Sequence, residues 1–507
     1  MDITKAKTLG ELKAAGYKNR SVKEEIRENL IRKLNGKETT FPGIIGYEDS
    51  VIPDTERALL SRHNILFLGL RGQAKTRMAR QMIDLLDEYI PYISGSEVND
   101  NPFAPISKFA RDLVAAQGDN TPISWLHRTE RYGEKLATPD VSVADLIGDI
   151  DPIKAANLRL NFADEQVIHF GIIPKSNRGI FVINEIPDLQ ARIQVSLFNI
   201  LEEGDIQIRG FKLRMPLDML FVFTANPEDY TNRGSIVTPL KDRIESQILT
   251  HYPKNVDTAL AITEQEADIH AEQKGRVVIS DLVKRLIEQV SFEARNSEYV
   301  DKKSGVSARL TIAAFENAVS AAERRAILNG EKETQVWISD LVGIVPSITG
   351  KIELVYEGEQ EGPYQVAFNL LEKSFRSQFV NYFPNPDQLK KRKDTKEENP
   401  FKSITHWFDK GNQLNLFFNT KDQDKIQQLY KVDGLHAFVK KYFKLANERE
   451  AALLMEFVLH GLAAYSLISK KVVEGRIEFK DLIGSMVNLG SAGSGFSSEE
   501  EDLDDFN

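Results

Sequence analysis

Residues 64–76 read NILFLGLRGQAKT and run directly into RMARQMIDLLDEY over 77–89. The apolar run 64–70 has no polar face, which predicts a strand buried on both sides within a parallel sheet. The residues after it carry helical spacing. Between the two, Gly69-Leu70-Arg71-Gly72-Gln73-Ala74-Lys75-Thr76 forms a glycine-containing strand-to-helix turn. A turn of this kind directs backbone N–H groups at an anion beside the start of the helix. Lys75 is then placed to reach the β- and γ-phosphates of a nucleotide, and Thr76 to offer its hydroxyl to Mg2+. The usual pattern has glycine before the lysine; here the residue is Ala74. Alanine is expected to serve provided its φ is negative.

Three further apolar runs follow, GIFVINE (179–185), MLFVFTAN (219–226) and SQILTHY (246–252), each separated by helical stretches. That rhythm predicts an α/β core over 39–255, a doubly wound and mostly parallel sheet. From 256 to 355 helical periodicity takes over, as in SDLVKRLIEQVSFEARN, and a helical lid is expected. Residues 356–482 read as a mostly helical C-terminal region, and 1–38 as a helical lead-in stopped at Gly36. The end, 483–507, is too polar and too rich in Gly and Ser to bury a core, so a disordered acidic tail is expected. No tandem repeat of fixed period is visible.

The polar ends of the apolar runs carry the chemistry. In a P-loop ATPase the strand beside the phosphate loop ends in an acid that holds the Mg2+ shell, followed by a glutamate that deprotonates water. Here the pair is Asn184-Glu185. An amide still accepts a hydrogen bond from a metal-bound water but brings no charge, so weaker Mg2+ binding and slower hydrolysis are expected. Glu185 remains as general base. Asn226, at the end of the third run, is placed to hold the attacking water, although a strand-terminal Asn-Pro alone reads as a turn. Between these runs the sequence predicts a helix over 194–203 and a hairpin over 204–216 bearing Arg209, Lys212 and Arg214. Arg243, in LKDR, precedes a strand, and Arg309, in SAR, heads a lid helix. Each of these arginines alone would be a surface charge.

Taken in order, the AKT loop, the Asn-Glu strand, LEEGDIQIRG, TANP, LKDR and SAR resemble the MoxR and magnesium-chelatase subunit I branch of AAA+ ATPases over about residues 39–330. The resemblance implies ATP and Mg2+ as cofactors, with Lys75 and Thr76 as the Walker A pair and Asn184 and Glu185 as the Walker B pair. It implies Asn226 as sensor 1, Arg243 as an arginine finger acting on a neighbouring subunit, and Arg309 as sensor 2. A finger in trans implies a homo-oligomer, typically a hexameric ring, and the branch's hairpin insert projects toward a pore or client. The implied client is a protein, for instance one with a von Willebrand factor A domain, that the ring remodels. Alternatives are the ATPase subunit of a true metal chelatase and a nucleotide-dependent scaffold with weak hydrolysis. A transcription-activator reading lacks both a helix-turn-helix signature and a GAFTGA-type loop.

Composition sets the outer bounds. A chain of 507 residues, 41% hydrophobic and 28% charged, is of ordinary globular composition. No cysteine is present, which excludes disulfides, thiolate metal sites and thiol nucleophiles. No apolar run approaches the roughly 18 residues that span a bilayer, and the N-terminus has no apolar h-region, so a cytoplasmic protein is expected. The net charge of -10 argues against general nucleic-acid binding, although Glu499, Glu500, Glu501, Asp502, Asp504 and Asp505 supply part of it. The basic run Lys390-Lys391-Arg392-Lys393 reads as a solvated connector beside Asp394, Glu397 and Glu398.

Overall fold

The computed structural model describes residues 3–161, 164–208, 214–227, 235–391 and 399–482. The chain divides into two compact units, Met1–Pro253 and Lys254–Asn507.

The first unit is built on five parallel strands: β1 (Ile65–Leu68), β2 (Tyr132–Leu136), β3 (Gly179–Asn184), β4 (Met219–Ala225) and β5 (Ser246–Leu249). Their spatial order is β5-β1-β4-β3-β2. The four apolar runs form β1, β3, β4 and β5. Their alternation divides the core: Phe67, Val182 and Val222 join one hydrophobic cluster, while Leu66, Phe181, Ile183, Phe221 and Phe223 join another. Apolar side chains therefore leave both faces of the sheet, as a doubly wound fold requires. The lead-in helix Val22–Asn35 supplies Val22, Ile26 and Leu30 to the first cluster and so belongs to the sheet's covering layer. The buried Arg131–Glu25 ion pair, at 2.6 Å, reinforces that seat.

Register aligns the carboxyl ends that matter. Leu68 pairs with Ala225, and Phe223 with Ile183, so the loop 69–76, Asn226 and Asn184 leave the sheet on the same side. In an open α/β sheet the crevice beyond these ends is where ligands bind. The Asn-Glu strand does not adjoin the loop strand as expected, because β4 stands between them.

β2, read as YGEKL, has no apolar run, and the sequence did not predict it. It lies at the sheet edge with only Gly133 fully buried. A Cβ at Gly133 would collide with the Ser176 hydroxyl and the Phe181 ring, so glycine permits the close approach to β3. The helix after the loop is shorter than its periodicity suggests. It spans Lys75–Gln81, continues as a 3-10 turn over Met82–Leu85, and gives way to the strand Tyr89–Ile93. Pro91 bars Ile90 from helical backbone angles. The helix expected over 194–203 is two pieces, Ala191–Ser196 and Phe198–Glu202. The hairpin follows as Asp205–Gln207 against Arg214–Pro216. Arg209 and Lys212 lie outside the described residues.

In the second unit, helices such as Asp281–Asn296, Arg309–Asn329, Pro363–Tyr382 and Glu448–Ala464 surround one core running from Val277 to Phe479. The segments read as lid and C-terminal region thus share a single core. A three-stranded antiparallel sheet, with Arg476–Lys480 between Leu414–Phe417 and Ser469–Val473, was not foreseen. Its charge-rich SKKVV and RIEFK lack an apolar run. Lys390 and Lys391 end the helix Pro386–Lys391, whereas Arg392, Lys393 and the acidic tail lie outside the described residues.

Glu288 is 1% exposed inside this core, and neither carboxyl oxygen has a hydrogen-bond partner among the described residues. Burial pushes its carboxyl up to about 7, with the neighbouring Thr263 and Thr311 hydroxyls offsetting only part of the effect. The folded state therefore holds this proton more tightly than the unfolded chain does, and stability falls as pH rises toward and through 7. Glu288→Gln is expected to stabilise the protein at pH 8 by on the order of 2 kcal/mol, and to give little gain near pH 5. Thermal denaturation of both proteins at the two pH values reads the difference.

Candidate functional site

The loop 69–76 is held in large part by residues outside it. Gly69 donates its N–H to the Ala225 carbonyl at 3.1 Å. Thr250 donates to Gln73 Oε1 at 2.6 Å, and the Tyr252 hydroxyl donates to the Arg71 carbonyl at 3.0 Å. The Tyr47 hydroxyl lies 3.0 Å from the Gln73 carbonyl, and burial pushes its pKa up to about 12, so it stays a donor. A Cβ at Gly69 would strike Thr250 and Gln73, so that glycine is demanded by close approach.

Lys75 is 6% exposed. Its ammonium donates to the carbonyls of Gly69 and Leu70 and, at 2.7 Å, to Asn226 Oδ1. Asn226 uses its other end as well, donating from Nδ2 to Glu185 Oε2 at 2.9 Å. An amide is suited to this place because it accepts from a cation and donates to a carboxylate at once; an aspartate there would set two carboxylates together. Glu185 stands at φ +55 immediately after β3, its backbone N–H donating to the Thr224 hydroxyl at 3.1 Å. Thr76 donates to Asn184 Oδ1 at 3.3 Å, and Thr224 donates to the same oxygen at 3.1 Å. Lys75, Thr76, Asn184, Glu185 and Asn226 therefore form one connected cluster across three strand ends.

Two members were missed by sequence reasoning. Thr224 was detectable as the hydroxyl in an otherwise apolar strand. Glu134 lies on the unpredicted β2 and accepts from Asn184 Nδ2 at 2.6 Å. Burial pushes the Glu134 carboxyl up, but hydrogen bonds from Arg80, Tyr132 and Asn184, with the Arg80 charge, outweigh that and hold it below the usual range.

The family model described as the sigma-54 interaction domain matches residues 161–248, which carry Asn184, Glu185, Asn226 and Arg243. The magnesium-chelatase 38 kDa subunit of Cereibacter sphaeroides is 24% identical over 207 residues, 40% of this chain and 56% of that subunit. The chain is thus similar in part to a sigma-54 interaction domain and to a magnesium-chelatase subunit. This chain spans little more than half the length of that chelatase subunit. Among solved structures, a putative ATPase from Cytophaga hutchinsonii aligns with 72% of this chain and 98% of its own at 17% identity, with a TM-score of 0.28. A magnesium-chelatase complex of subunits BchI and BchD aligns with 63% of this chain and 98% of that one, at 19% identity and a TM-score of 0.32. At such scores these superpositions add no argument.

The two arginine candidates have local partners of their own. Arg243 pairs with Glu202 at 2.6 Å, donates to the Pro239 carbonyl and covers the Phe198 ring. Arg309 begins its helix in the second unit, with Ser307 capping its N–H at 3.1 Å. The Ala74 expectation is overturned: its φ is +57, in the left-handed region, beside Gly72 at +71. The loop holds Ala74 there against a steric penalty of about 1–2 kcal/mol. Ala74→Gly is therefore expected to raise stability without nucleotide by about 0.5–1 kcal/mol, after the greater chain entropy of glycine is discounted. Urea denaturation measures this, and a loss of stability would contradict it.

Among the described residues no helix is long and apolar enough to cross a membrane.

Proposed function

We propose that this chain binds Mg2+ and ATP at the loop 69–76 and hydrolyses the nucleotide, as a MoxR and magnesium-chelatase-like AAA+ protein that remodels a partner in a ring of like subunits. The observation that carries the reading is the continuous Lys75–Asn226–Glu185 chain, which joins a buried cation to a carboxylate through one amide. The donor set fits the cofactor: Thr76 and Asn184 offer oxygen, the ligand type Mg2+ takes, and Lys75 offers the cation that phosphate takes. ATP, when bound with Mg2+, supplies the phosphoanhydride bond to be broken. Lys75 binds phosphate charge, Asn226 orients water, and Glu185 accepts its proton. Arg243, only partly exposed and turned onto Glu202, would need to exchange that partner to act on a neighbouring subunit.

Asn184, lacking charge, favours a second reading, a ring held together by nucleotide with little turnover. The chelatase relative keeps open the ATPase subunit of a metal chelatase. The sigma-54 match does not favour transcription activation, because the sequence has no GAFTGA. The test is steady-state phosphate release by the purified chain, with its mass followed by light scattering with and without ATP. Mg2+-dependent release with nucleotide-dependent assembly supports hydrolysis, assembly without release supports the scaffold, and neither overturns both.

A further inference from the structure

We propose that Glu134 is a positioning residue that polarises the Asn184 amide and so returns to the metal position part of the negative character that asparagine itself lacks. This rests on the reading of the loop as a Mg2+–nucleotide site.

The geometry leaves Asn184 one orientation. A carboxylate only accepts hydrogen bonds, so the Asn184 group 2.6 Å from Glu134 Oε1 must be the NH2. On the other side stand two donors, Thr76 and Thr224, and the Thr224 oxygen already receives the Glu185 N–H, so its proton goes to Asn184 Oδ1. The amide thus turns its oxygen toward Thr76 and its nitrogen toward a carboxylate. A carboxylate bonded to the far side of a ligand raises that ligand's basicity, as carboxylates do behind metal-bound imidazoles. Glu134 is fixed in turn by Arg80, which donates at 2.9 and 3.0 Å, and by the Tyr132 hydroxyl at 2.9 Å. Arg80 is mostly exposed, with a side-chain relative accessibility of 61%, so water screens its hold on the Glu134 charge.

The arrangement predicts that charge at 134 and charge at 184 substitute for each other. Glu134→Gln should raise the Mg2+ concentration for half-maximal ATP binding roughly tenfold. Asn184→Asp alone sets carboxylate against carboxylate, and it should lower the melting temperature without nucleotide. The double variant Asn184→Asp/Glu134→Gln rebuilds an amide–carboxylate pair with the roles exchanged, and should recover both stability and Mg2+ dependence to wild-type levels or better. The experiment is a double-mutant cycle read twice, as melting temperature of the nucleotide-free protein and as Mn2+ affinity by electron paramagnetic resonance with ATP present. Non-additive effects with recovery in the double variant support the proposal. Additive effects, or a Glu134→Gln protein with unchanged metal affinity, overturn it. A wild type that binds no metal–nucleotide sinks the functional reading instead, and the nucleotide-free cycle still reports on the pair.

Discussion

Glu185→Gln is expected to leave ATP binding within about threefold of the wild type while lowering steady-state phosphate release roughly 100- to 10,000-fold. Glutamine has the same shape and can still present an oxygen to Asn226 Nδ2, which Glu185 receives at 2.9 Å. The contacts that hold the loop, through Thr250, Tyr252 and Tyr47, do not involve residue 185. What is lost is the basic lone pair that takes a proton from water. Fluorescent-nucleotide titration and a coupled phosphate assay separate the two quantities. Turnover at the wild-type rate would remove Glu185 from the chemistry.

Lys75→Ala is expected to weaken ATP binding by about 2–5 kcal/mol, roughly 30- to several-thousand-fold, because a buried charge partner of the phosphates disappears. The change also strips the Gly69 and Leu70 carbonyls and Asn226 Oδ1 of the ammonium that donates to them. Some loss of fold stability will accompany it, and Lys75→Met, which keeps the stem's packing, controls for that. The readout is the rise in melting temperature on adding Mg2+ and ATP, large for the wild type and near zero for both variants. An equal rise in all three proteins would place the nucleotide elsewhere.

The sheet was legible where burial on both faces leaves uninterrupted apolar runs, as in GIFVIN and MLFVFTA. It was illegible at β2, where an edge position permits Tyr132, Glu134 and Lys135 and close packing requires Gly133. That gap hid a member of the candidate site. Glu134 opposes Val182 in the ladder, which makes it a diagonal neighbour of Asn184 on the same sheet face, and no local pattern joins residues 50 positions apart. The motifs made Lys75, Asn184, Glu185 and Asn226 readable as candidates; their hydrogen-bonded chain depends on strand register. The sign of a backbone angle is likewise not written locally. Alanine at 74 was read as serviceable provided its φ is negative, yet it stands at +57, in a loop whose Gln73 and Arg71 are held by Thr250 and Tyr252. In the second unit, Arg476–Lys480 forms a strand despite its charges because only the alternate residues Ile477 and Phe479 are buried, and Ser469–Val473 pairs with it at the edge without burying any residue of its own.

Calorimetric titration of the wild-type chain with ATP in the presence of Mg2+ measures whether the loop 69–76 holds the nucleotide. Saturable binding at one site per chain, dependent on Lys75, is expected. Absence of saturable binding, or a stoichiometry and affinity unchanged in Lys75→Met, would contradict it.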